Sequence, residues 1–118
     1  MEIPLFPSHL APKPPNEIFI EVLEVNPYPD RSRVRVHIVV TPFQQRPNLL
    51  LALYNADRQL VREINVIETM HADMEFTLHL QRGTNPAGDY SLTADLFYET
   101  RNPVQDQRTV EFEISEVE

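Results

Sequence analysis

The chain has 118 residues, 42% of them hydrophobic and 24% charged, with a formal net charge of −8 and no cysteine. That length suits one domain, able to bury roughly two-thirds of its unfolded surface without help from a metal or a disulfide. The lack of cysteine excludes disulfides, thiolate metal centres and cysteine nucleophiles, and the negative charge argues against binding a phosphate backbone.

The chain opens with "MEIPLFPSHLAPKPP", where Pro4, Pro7, Pro12, Pro14 and Pro15 fall within fifteen residues. Proline fixes φ and cannot donate to a strand ladder, so residues 1–16 are predicted to form an extended, partly polyproline-like arm, with the folded domain over 17–118. The opening has an acid at position 2, no basic region and no long apolar run, which predicts no signal peptide and a cytoplasmic location. No window approaches the ~18 apolar residues of a membrane span, so no membrane insertion is expected.

From residue 17 the apolar residues recur with period two, the spacing of a strand with one buried face. "IFIEVLEV" (18–25) is the first predicted strand, and "NPYPDRS" turns the chain. "RVRVHIVVT" (33–41) places Val34, Val36, Ile38 and Val40 on one face and Arg33, Arg35 and His37 on the other. "NLLLALYN" (48–55) is apolar throughout, which fits a central strand, and "QLVREINVIE" (59–68) returns beside it. "DMEFTLHLQ" (73–81) alternates strictly, with Met74, Phe76, Leu78 and Leu80 together. "DYSLTADLFYE" (89–99) turns Tyr90, Leu92, Ala94, Leu96 and Tyr98 to one side. "RTVEFEIS" (108–115) turns Val110, Phe112 and Ile114 inward and Glu111 and Glu113 outward. Seven short alternating strands separated by polar, proline-bearing turns predict an all-β, antiparallel sandwich.

Two stretches sharpen that reading. In "NPAGDYSLTADLFYE" a proline and a glycine precede Tyr90, and Leu92 follows two positions on. This resembles the start of the sixth strand of immunoglobulin-like and fibronectin-type-III-like modules, where such a tyrosine bonds back to the backbone before it and the residue two positions on enters the core. "LYNADRQLVRE" (53–63) is similar to a hairpin of bacterial modules of this kind, except that Arg58 holds the usual glycine position, so a somewhat different turn is expected. The resemblance covers roughly residues 48–115 and implies a seven-stranded immunoglobulin-like sandwich. The chain departs from the best-known members in having no Trp and no cysteine pair.

Candidate chemistry is sparse. "TMHADM" (69–74) offers Met70 and His71, soft ligands that suit copper, but the alternation assigns Met74 to the core, and one thioether with one imidazole is too few for a tight site. No metal or other cofactor is therefore expected. His9 lies in the arm, while His37 and His79 fall on outward strand faces and are expected to share a solvated surface with Arg35. Ser8, Ser32, Ser91 and Ser115 lack the context of an activated nucleophile, and Gly83 and Gly88 are too few for a phosphate loop. No catalysis is expected.

The outer face of the last two strands is the more informative surface. Asp95, Glu99, Glu111 and Glu113 make it acidic, and Phe97 is expected to stand exposed among them as a binding anchor. The predicted function is a non-catalytic protein-interaction module whose partner is a protein, basic in keeping with that face. Binding of a carbohydrate or small ligand is the alternative, with Tyr28 and Phe43 as the loop aromatics left for it. A homodimer through the arm or through an edge strand is a further expectation.

Overall fold

In the computed structural model, the residues described are 11–80, 85–101 and 103–115. Residues 1–10, most of the predicted arm and with it His9 and Ser8, lie outside them, as does Gly83. Seven strands follow a single 3₁₀ turn at Pro15–Glu17: β1 (Ile20–Pro27), β2 (Arg33–Val40), β3 (Asn48–Tyr54), β4 (Leu60–Val66), β5 (Asp73–His79), β6 (Gly88–Phe97) and β7 (Asp106–Ile114). Each corresponds to a predicted strand.

The strands form two antiparallel sheets, one ordered β1-β2-β5 and the other β4-β3-β6-β7. This is the seven-stranded antiparallel sandwich that the alternation predicted. The fourth strand pairs with β3, leaving β5 at the edge of the smaller sheet.

The two inner faces supply the core. Val34, Val36, Ile38 and Val40 of β2 are fully buried, as are Leu49, Leu51 and Leu53 of β3 and Leu92, Ala94 and Leu96 of β6. Burying a side chain of the Val, Leu or Ile class contributes about 1.5–3 kcal/mol, so these alternating sets fix both strand identity and register. Phe112 stacks on Tyr90 at 5.5 Å between ring centroids, and both half-buried rings pack against this core.

Tyr90 behaves as the resemblance implied. Its hydroxyl donates to Pro86 O at 2.6 Å, tying β6 to the connection before it. Tyr98 at the far end donates to Gln45 O at 3.0 Å. Burial raises both phenols above their ordinary value, so both remain protonated donors.

The sandwich is closed along one side. β1 lies beside β7, and Asp106 Oδ2 accepts the Ile20 N–H at 2.7 Å. Arg108 Nη1 donates to Glu21 O at 3.4 Å farther along. No comparable seam joins β4 to β5 on the opposite side.

The described part of the arm is bonded to its own domain. Lys13 N donates to Pro42 O (2.8 Å) and Gln44 N donates to Lys13 O (2.9 Å), forming a short parallel bridge with the β2–β3 connection. The side chain of Gln105 donates to Pro15 O (2.6 Å) and Ile18 O (2.7 Å).

Candidate functional site

On a central strand, one face of the alternation points into the sandwich and the other points outward. For the larger sheet the outward set on β3 is Asn48, Leu50, Ala52 and Tyr54. These residues stand opposite Phe97, Asp95, Thr93 and Ser91 of β6. Beyond them β7 places Gln107 opposite Asp95, Thr109 opposite Thr93, Glu111 opposite Ser91 and Glu113 opposite Asp89. The register thus brings Asp95, Glu111 and Glu113 onto one face.

That face is internally bonded in its middle and repulsive at one end. Gln107 Nε2 donates to Asp95 Oδ1 at 2.8 Å, and the Thr93 and Thr109 hydroxyls meet at 3.1 Å. Asp89 and Glu113, both exposed and directly opposite, are like charges on neighbouring strands, an arrangement that costs stability, and Arg58 lines a hollow with Asp89 and Glu111 beside them.

Two of the sequence-predicted residues sit differently from expectation. Phe97 is half-buried, not exposed. It lines a hollow of about 530 Å³ at the end of the sandwich, together with Pro15, Asn16, Tyr98 and residues of the β6–β7 connection, Pro103 among them. Those segments come from both ends of the sequence, so no local pattern signals them. Glu99 lies beyond the last residue of β6, in the connection itself.

The residues that sequence reasoning missed are Leu50 and Ala52. Both point outward, yet only 5% and 6% of their surfaces are exposed. They floor a hollow of about 590 Å³ bordered by Glu63 and Tyr54 on one side and Asp95 and Gln107 on the other, with Arg101, Pro103 and Val104 of the β6–β7 connection completing it. The signal was the unbroken "LLLAL" run, which marks a strand apolar on both faces. The site is therefore an apolar floor with two carboxylates at its rim.

The outer face of the smaller sheet is rich in charge along its middle, with Val22 and Val39 together at one end. His37 sits opposite Glu24 on one side and Glu75 on the other. Its Nε2 lies 2.8 Å from Asp73 Oδ1 and its Nδ1 lies 3.3 Å from Glu24 Oε1. The bond to Asp73, and after it the bond to Glu24, raises the imidazole above its ordinary value. His79 stands opposite Arg33, at the far end of β2 from His37. The shared face is as expected, but the two imidazoles do not meet. Among the described residues no cluster of three metal-ligating side chains occurs.

"TMHADM" also divides as the alternation predicted. Met74 is buried, with its sulfur 3.1 Å from the Thr69 hydroxyl, while Met70 is 68% exposed in the connection before β5. His71 is exposed there too.

The fold has counterparts among solved structures. It resembles part of several bacterial β-glucuronidases. The chain superposes on a β-glucuronidase of Bifidobacterium dentium with a TM-score of 0.55 at 13% identity, covering 82% of this chain and 18% of that one. It matches a β-glucuronidase of Ruminococcus gnavus with a TM-score of 0.52 at 18% identity, covering 83% and 16%. For the Parabacteroides merdae β-glucuronidase the values are 0.55, 12%, 82% and 13%. The chain thus spans less than a fifth of these proteins, and at such identities the likeness is one of fold. No family model matches the sequence, and no curated protein matches it.

Proposed function

We propose that this chain is a non-catalytic β-sandwich accessory module that binds a basic protein segment on the outer face of its larger sheet. The observation that carries the reading is the hollow over Leu50 and Ala52, with Glu63 and Asp95 at its rim. A Lys or Arg side chain suits this arrangement: its aliphatic stem covers the apolar floor and its charged head reaches the carboxylates. Glu111, Glu113 and Asp89 extend the negative field along the same sheet, and a net charge of −8 favours approach of a cationic partner. The matched sandwiches being small parts of larger chains supports an accessory role.

The aromatics give no support to the carbohydrate alternative. Tyr28 is capped by the Arg33 guanidinium at 4.2 Å, and Phe43 packs against the core.

The test is affinity capture from native lysate with wild type, Ala52→Glu, the double variant Glu63→Gln/Asp95→Asn, and Arg35→Ala on the opposite sheet as a control. A partner retained by wild type and Arg35→Ala, released by moderate salt and lost with both other variants, supports the reading. Equal capture by all four proteins overturns it.

A further inference from the structure

A sandwich of two open sheets has four edge strands, and natural proteins guard such edges because their unpaired N–H and C=O groups template further pairing. Three of the four are guarded here. β1 carries a register shift between Ile20 and Val22, ends at Pro27 and lies along β7, which thereby covers β7 as well. β4 is interrupted where the register shifts between Leu53 and Tyr54, leaving Val61 without an opposite residue. β5 differs. It pairs with β2 over seven residues without a shift, contains no Pro, Gly or Lys, and has no strand on its other side among the described residues. In the middle of its inner face Phe76 is only half-buried, although Met74 and Leu78 beside it are buried. This edge lies on the side of the sandwich that has no seam.

The sequence of β5 is complementary to itself. We propose that two copies of the chain join β5 to β5 antiparallel about a two-fold axis at Phe76, merging two three-stranded sheets into one of six strands. In that register Phe76 meets Phe76 of the partner subunit, and Met74 meets Leu78 of the partner subunit. On the outer face Asp73 stands opposite His79 of the partner subunit, and Glu75 opposite Thr77 of the partner subunit. An isologous contact repeats each off-axis pair twice, so those matches count double, while the Phe76 pair on the axis occurs once. A slip that centres the pairing on Glu75 sets that carboxylate against its own copy, and one that centres it on Thr77 leaves Asp73 outside the seven-residue ladder. The Phe76-centred register is the one that uses the whole strand with no like charges opposed. A second copy therefore fits this edge better than an unrelated strand does. A contact of one strand pair falls at the small, reversible end of protein interfaces, so a dimer in exchange with monomer is the expected state. The proposal uses the sheet opposite to the partner-binding face and stands independently of it.

Sedimentation velocity of the full chain across a wide concentration range tests this, with Thr77→Lys and Thr77→Glu as paired variants. Thr77 is exposed, so neither change disturbs the core, and far-UV circular dichroism with thermal melts checks that both fold. Wild type should show a concentration-dependent monomer–dimer equilibrium. Thr77→Lys, facing Glu75 of the partner subunit, should tighten it and Thr77→Glu weaken it, each by about tenfold. Amides of β5 should gain hydrogen-exchange protection as concentration rises. A monomer at every concentration, or two variants that shift the equilibrium in the same direction or leave it unchanged, overturns the proposal.

Discussion

Arg58 occupies a backbone conformation that its side chain disfavours. Its φ is 64°, in the left-handed region, which costs an L-residue roughly 1–2 kcal/mol. The turn imposes it. Arg58 N donates to Asn55 O (3.0 Å) and Asn55 N donates to Gln59 O (3.0 Å), while Asn55 Oδ1 accepts the N–H groups of Asp57 (3.0 Å) and Gln59 (2.9 Å). The sequence, with arginine at the usual glycine position, suggested a different turn. The structure instead keeps the left-handed position and strains the arginine, because the asparagine holds the loop. Arg58→Gly should therefore raise the urea midpoint, corresponding to about 0.5–1 kcal/mol once the extra backbone freedom of glycine in the unfolded chain is subtracted. An unchanged or lower midpoint would contradict this account. At this scale the sequence was legible wherever a bond was local: Tyr90 reaches Pro86 four residues back, and the motif around it showed as much.

His37 acts at the scale of the element, since its ring bridges β1 and β5 across β2 through Glu24 and Asp73. The two carboxylates raise the folded imidazole above its ordinary value of 6.5. A base raised on folding stabilises the native state fully below its unfolded value, and that contribution is lost as pH rises through the folded value. Wild type should thus exceed His37→Gln in urea midpoint at pH 5.5, and the gap should narrow by pH 8.5. A gap that is constant or widens with pH would show that the charged bridge is not responsible. Because both carboxylates are largely solvated, the effect is a modest one. β2 and β5 were readable because their buried faces alternate strictly, and β3 because it is an unbroken apolar run. Which strands would become neighbours was not readable for β4, whose pattern of half-buried Val61, Ile64 and Val66 suits either sheet.

The whole molecule depends on contacts between distant parts of the chain, and these the sequence conceals. Phe97 looked exposed because its own strand gives it an outward position. Its cover arrives from Pro15 and Asn16 on one side and Pro103 on the other, and the hollow over Leu50 is completed in the same way by the β6–β7 connection. The β1–β7 seam likewise rests on Asp106, which accepts both the buried Ile20 N–H at 2.7 Å and its neighbour Gln107 N–H at 2.9 Å. Asp106→Ala leaves the first donor without a partner and should cost about 2 kcal/mol, roughly 10 °C in Tm. A melt within 2 °C or so of wild type would argue that water replaces the carboxylate. The same seam has a mechanical consequence. Ile20 meets Asp106, Glu21 meets Arg108, and Arg31 Nη1 donates to Ser115 O at 3.0 Å, so contacts ascend together along the first and last strands, which run in the same direction. The polypeptide enters β1 at one pole of the sandwich and leaves β7 at the other. A pull applied along the chain loads this seam in shear, with its bonds strained together instead of opened one after another.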